Sequence, residues 1–259
     1  MNQYLINLTV NAEERYLVAR LDELAQKALQ GISVRSDFLD LRQQTLGEAV
    51  AVQYADIIWK MDGGFDAAER KRLLLAPVWE VEEAMDNHIE YLQIKPTDKN
   101  ENTLGHRDYL GAIMNLGIRR EKFGDILVHE RDAFVLVDKS LTDYLCQQLE
   151  RVGHSKVITE RISREDLRLP ESEPLTINCT IPSLRLDAVL AAACKISRSE
   201  ATALIESGRV QLNHQVTEKI AVPVKVDDLL SVRGQGRIRL DEVLGVSKKG
   251  RYRVRISKW

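Results

Sequence analysis

The sequence predicts an α+β protein of three successive modules. These are an N-terminal mixed α/β region (1–85), a ferredoxin-like, RRM-like β-α-β-β-α-β plait (86–165) and, past a linker (166–180), a helical pair with a basic β-hairpin extension (181–259). Three observations carry the prediction. Hydrophobic spacing in the middle of the chain switches between the strand period and the helix period in the order the plait requires. Ser197-Arg198-Ser199-Glu200 has the spacing of a capping box, which opens a helix near the C-terminus. Charge is polarised: residues 181–259 hold 15 of the 37 Lys and Arg but 8 of the 39 Asp and Glu, a net +7, which leaves −9 for residues 1–180.

In the opening region, Ala12 to Leu29 forms a long helical pattern, and Ser36-Asp37 supplies a cap for the helix that follows. Ile57-Ile58-Trp59 reads as a short buried strand before the Asp62-Gly63-Gly64 turn. Arg70, Lys71 and Arg72 then fall on a short helix beginning near Asp66.

The plait follows as a strand at Ile89–Ile94, a helix at His106–Leu116, strands at Asp125–His129 and Ala133–Val137, a helix from Leu141 to Val152 ending at Gly153, and a strand at Lys156–Ile162. Its inner strand offers Phe134 but no aromatic pair for stacking bases. The run from Gly105 to Asp125 is rich in Gly and Arg, so Arg107, Arg119, Arg120 and Lys122 are candidates for a second RNA surface. Cations at a helix C-terminus are also favoured by the dipole alone.

Pro170 and Pro174 among polar residues mark the linker. Beyond it, Leu186, Val189, Leu190 and Ala193 share a helical stripe. Ser197 then caps a helix that runs to Gly208 and places Arg198 at its first position, where free amides and the dipole favour a phosphate. Arg209 to Val216 reads as strand, turn and strand, and Val224 to Val232 as a further strand interrupted at Asp227-Asp228. Tyr252, Val254 and Ile256 alternate with Arg251, Arg253 and Arg255, so the three guanidinium groups share one face at a spacing of roughly 7 Å. Arg237 and Arg239 repeat the pattern and Lys248-Lys249 lies in the connection, giving a hairpin whose outer face carries one sign of charge. A charged edge that only deters aggregation is the competing explanation.

The run R-L-D-x-x-L from Arg185, S-R-S-E-A from Ser197, I-E-S-G-R-V-x-x-N from Ile205 and V-x-x-D-D-x-L-S-V-R-G from Val224 resembles the S-four, or alpha-L, RNA-binding domain. His214 and Asp227 depart from the glycines common in that domain. The resemblance implies RNA-phosphate contacts at Arg185, Arg198 and Arg209, with Ser197, Asn213 and Lys219 beside them. Ser36-Asp37-Phe38-Leu39-Asp40, Gly63-Gly64-Phe65, Ala68-Glu69-Arg70-Lys71-Arg72 and the His106–Asp125 run, in order with this module, resemble the bacterial YlmH family. That similarity implies a cytoplasmic, non-enzymatic factor encoded near cell-division genes. It would engage ribosomal RNA and tRNA on the large ribosomal subunit in the rescue of stalled nascent chains.

Enzymatic readings find less support. Arg185-Leu186-Asp187 matches the letters around a pseudouridine synthase nucleophile but opens a helix of the RNA-binding module, so pseudouridylation through Asp187 is kept as the alternative, with a cell-division scaffold as another. The adenylate-binding signatures of a tyrosyl-tRNA synthetase are missing. His106-Arg107-Asp108 lacks the partners of a kinase loop, and Gly63-Gly64 is too sparse for a nucleotide-cofactor loop. His88, His106, His129, His154 and His214 have no metal-ligand spacing, so no cofactor is expected. Cys146, Cys179 and Cys194 suit a reducing compartment. No export signal or membrane-length apolar span is read. The expected partners are RNA and the ribosome, with neither DNA nor membrane, and the expected state off the ribosome is a monomer.

Overall fold

The computed structural model describes residues 3–81, 85–97, 104–169, 174–213 and 215–259, and the chain divides into two compact units, 1–170 and 171–259. Among the described residues no helix is long and apolar enough to cross a membrane.

The first unit begins with α1 (Gln3–Leu8), α2 (Ala12–Leu29), β1 (Val34–Arg35), α3 (Leu41–Ala51), β2 (Ile57–Asp62) and β3 (Arg72–Pro77). Helix α2 matches the expected span because Asn11 caps it and Val18, Leu21, Ala25 and Ala28 form its buried stripe. The next cap is Asp40, whose carboxylate accepts from Gln43 N at 2.9 Å in a capping box. Ser36-Asp37 is not that cap: Ser36 is buried, and its Oγ accepts from Leu73 N at 2.9 Å. Nor do Arg70 to Arg72 lie on a helix. Residues 66–71 turn, and Arg72 opens β3, the fully buried central strand of a three-stranded sheet ordered β1-β3-β2.

The unit continues through β4 (Ile89–Pro96), α4 (His106–Asn115), β5 (Phe123–Val128), β6 (Ala133–Asp138), α5 (Thr142–Gln148), β7 (Arg151–Val152) and β8 (Ser155–Ile162). The sheet runs β5-β6-β4-β8-β7, all antiparallel, which is plait order with one added edge strand. Helix α5 is shorter than its apolar pattern suggested, because Arg151–Val152 leaves to pair with β8. One face of the sheet packs Leu92, Ile94, Val135 and Val137 with Tyr109 and Ile113 of α4 and Leu145 of α5. The opposite face, carrying Tyr91, Phe134 and Leu136, is covered by Phe38, Phe65 and Leu167. Residues 1–85 and the plait therefore share core, and a buried ion pair joins them: Arg72, 1% exposed, reaches Asp138 and donates to Asn87 O at 2.8 Å.

The second unit holds β9 (Leu175–Ile181), α6 (Leu186–Cys194), α7 (Arg198–Glu206), β10 (Val210–Leu212), β11 (Gln215–Val216), β12 (Leu229–Val232), β13 (Gly236–Val246) and β14 (Tyr252–Lys258). Its sheet, ordered β11-β10-β12-β13-β14-β9, is antiparallel throughout. The residues expected as a linker thus include most of β9, which pairs with β14 along seven residues. Strand β14 is consequently interior, so edge protection is not the reason for its arginines. Residues 224–228 are turns and loop instead of strand, with Asp227 at φ +69°, the left-handed geometry its glycine-like place requires. His214 lies outside the described residues. Val210, Val232, Ile238, Leu240, Val254 and Ile256 form one face of the sheet and pack against Leu186, Val189 and Leu190 of α6 and Ile205 of α7.

Candidate RNA-binding surface

Two groups of cations arise in the second unit, one on each layer. The first is at the helix pair. Leu186, Val189 and Leu190 bury one side of α6, and the same turn draws Asp187 inward, so its carboxylate is only 5% exposed. Arg185 donates from Nε to Asp187 Oδ1 at 3.1 Å and from Nη2 to Oδ2 at 3.4 Å. Arg198, first residue of α7, donates from Nη2 to the same Oδ2. Both arginines stay about half exposed, at 46% and 52%. Burial pushes the Asp187 carboxyl up, but hydrogen bonds from Arg198 and Arg185 with their charges outweigh it and hold the acid below its ordinary range. One carboxylate thus aims two guanidinium groups while cancelling one of their two charges. Ser197 is committed to the cap: its Oγ accepts from Glu200 N at 3.2 Å, and its own N–H donates to Glu200 Oε2 at 2.8 Å.

The second group lies on the sheet face opposite the helices. Side chains alternate along a strand and paired residues point the same way. Gln211 pairs with Ser231 and Ser231 with Arg237, and the flanking Val210, Val232 and Ile238 face the core, so this row faces outward with Arg209 and Arg239. Arg239 packs over the Trp259 ring at 5.4 Å and pairs with Asp241 at 2.8 Å. Along β14, Arg253 and Arg255 are exposed while Val254 and Ile256 are buried, as the alternation required. Arg255, however, pairs with Glu242 at 2.8 Å. The face is therefore not of one sign: Asp241 follows Arg239 onto it by alternation, and the bulge after Leu240 sets Glu242 opposite Arg255. Arg253 shows no ion pair among the described residues, nor do Arg251, Lys248 and Lys249 at the exposed turn.

Asn213 is a turn residue, at φ +48°, that bonds Asp228 Oδ1 at 2.8 Å and Leu229 N at 3.0 Å. Lys219 is exposed with no acidic partner among the described residues. Arg233, which the motif reading passed over, follows Ser231 by two residues and shares its face. The signal was the same period of two that exposed its neighbours.

In the first unit the four cations expected together disperse. They do not lie on a helix end but in and around a 3-10 turn at Arg120–Lys122, apart from Arg107, which is exposed on α4. Arg120 donates to Phe123 O at 2.6 Å and Gly124 O at 3.0 Å and stacks on the Phe123 ring. Burial, with Arg70 nearby, pushes its guanidinium down to about 10. Lys122 pairs with Asp37 at 2.6 Å, and Arg119, exposed, with Glu121 at 3.2 Å. Arg120 and Lys122 are thus engaged within the protein, and Phe134, 1% exposed, is enclosed and unable to stack a base.

Comparison with known proteins gives two matching domain models. Residues 83–166 match one described as "Putative RNA-binding domain in YlmH", and residues 184–230 match the S4 domain. A Bacillus subtilis (strain 168) relative named "Ribosome-associated protein quality control protein P2" is 37% identical over 219 residues, which is 85% of this chain and 84% of the relative. The solved structure titled "Cell division protein ylmH from Streptococcus pneumoniae" superposes with a TM-score of 0.52 at 27% identity, over 62% of this chain and 98% of that one.

Proposed function

From the premise that this chain belongs to the YlmH family, we propose that it is a non-enzymatic RNA-binding factor which engages ribosomal RNA and tRNA on the large ribosomal subunit. Its task would be the rescue of stalled nascent chains, in keeping with the name of its Bacillus subtilis relative. The observation that carries the reading is the Arg185–Asp187–Arg198 cluster. Two half-exposed guanidinium groups fixed by one buried carboxylate lose little freedom on gripping a phosphate, and Arg offers a planar fork that matches it. Non-enzymatic action is favoured at the same place. A nucleophilic Asp187 would need a free, accessible carboxylate, and this one is nearly buried and held by both arginines.

Co-sedimentation of the full chain with large ribosomal subunits tests the proposal, together with crosslinking in cells to map the RNA bound. Arg185→Glu with Arg198→Glu is expected to release the protein at least tenfold. Retention of the double variant on the subunit would defeat the reading and leave the cell-division role in the name of the Streptococcus pneumoniae protein as the stronger one. Loss of an RNA modification in Asp187→Asn with binding intact would establish the enzyme.

A further inference from the structure

We propose that the outer face of the second unit's sheet carries a separate phosphate pocket, formed by Arg209, Arg233 and Arg237, which takes an RNA backbone phosphodiester, and that Arg233 is an RNA-contact residue. The inference rests on the RNA reading above and adds a site to it.

The three arginines converge from three chain segments. Arg233 N donates to Arg209 O at 3.0 Å, which sets these two side by side. The tight turn from Val232 to Gly236, with Gly234 at φ +86° and Gly236 at φ +90°, brings the chain back so that Arg237 stands opposite Ser231. Between them lies an open concavity of about 520 Å³ whose floor includes Gln211 and Ser231, a neutral donor set suited to phosphate oxygens. A Cβ at Gly234 would stand 3.9 Å from Arg209 Nη2, an ordinary contact distance that places the Arg209 guanidinium beside this turn.

Charge supplies the second argument. Arg209 and Arg233 are exposed and have no acidic partner among the described residues. Among the described residues no Asp or Glu side chain lines the concavity, unlike the cluster around Asp187 or the pairs at Arg239 and Arg255. Arg237 is half-buried there, and burial pushes its guanidinium below the ordinary range. An anion entering this space would meet the charge of Arg209 and Arg233. These two, side by side and without an acidic partner among the described residues, repel each other, and a polyanion is the ligand that offsets that repulsion.

The test is equilibrium binding of a labelled mixed-sequence RNA hairpin to the full chain and to Arg233→Gln and Arg233→Glu, beside titration of inorganic phosphate followed by arginine Nε–H NMR. Arg233 is exposed, and thermal unfolding of the variants should match that of the parent. Arg233→Gln is expected to weaken RNA binding about five- to tenfold and to reduce the salt slope by roughly 0.7 to 0.9, with Arg233→Glu weaker still. Parental affinity in both variants, with no phosphate-induced shifts in the parent, would overturn the pocket. Phosphate shifts in the parent with RNA affinity indifferent to Arg233 would overturn the RNA assignment and leave a free-anion site. A parent chain with no RNA affinity would defeat the general function as well, which separates the two failures.

Discussion

Ionisable residues in this protein work in pairs, and their burial decides what each pair does. Arg72 and Asp138 join the opening region to the plait, and Arg72 is nearly inaccessible. Burial pushes the Asp138 carboxyl up, but hydrogen bonds from Ser140 and Arg72 overcome it and bring the group down to about 2. A carboxyl lower in the folded state than its unfolded value near ~3.9 adds stability that is complete above that value and vanishes as pH falls through the folded one. Asp138→Asn should therefore cost on the order of 2–4 kcal/mol at neutral pH, since it strands a buried guanidinium. Urea unfolding should show the gap between variant and parent constant down to about pH 4 and closing toward about pH 2. A gap that persists undiminished at the acid end would refute the assignment. Little of this was legible in the sequence: Asp138 lies 66 residues from Arg72, and no local pattern announces the pair. The Ser197–Glu200 box was legible because both halves of that interaction sit three residues apart.

At the scale of elements, period and caps fixed what could be read. The span of α2 and the cap of α7 were both visible, because a run of apolar residues at the helix period and a Ser-x-x-Glu carry their own geometry. Errors came where a partner strand made the choice. Arg72 joins a strand because β1 and β2 flank it, Arg151–Val152 leaves a helix to pair with β8, and β9 was hidden among prolines because its partner, β14, lies more than seventy residues on. The turn that shapes the arginine concavity offers a direct check. Gly236 has φ +90°, and a Cβ there would come within 2.0 Å of Trp259 O, whereas Gly234 has φ +86° and open space except for Arg209 at 3.9 Å. Gly234→Ala should cost about 1 kcal/mol for its backbone geometry alone. Gly236→Ala should cost more than about 2 kcal/mol, because the Arg237–Trp259 backbone bonds must also give way. Hydrogen exchange at the Arg237 and Trp259 amides measures this; equal protection in the two variants would count against the close approach.

Over the whole molecule, the polarised charge is the property the sequence displayed most plainly, and the structure refines it. The net +7 of residues 181–259 is distributed over two layers of one unit, tempered by Asp187, Asp241 and Glu242 and undiluted at Arg209, Arg233, Arg253 and the Lys248–Arg251 turn. The plait's sheet, the surface such a fold would lend to RNA, is covered on one face by its helices and on the other by Phe38, Phe65 and Leu167. Recognition is therefore expected to rest on phosphate contacts from the second unit, which position a protein without reading sequence. The most direct measurement is the salt dependence of binding between the full chain and large-subunit ribosomal RNA. With about four to six phosphates engaged, log affinity should fall against log salt with a slope of roughly −3 to −5, and Arg185→Glu with Arg198→Glu should lose about two contacts from it. A slope near zero, or one that the double variant leaves untouched, would contradict the account.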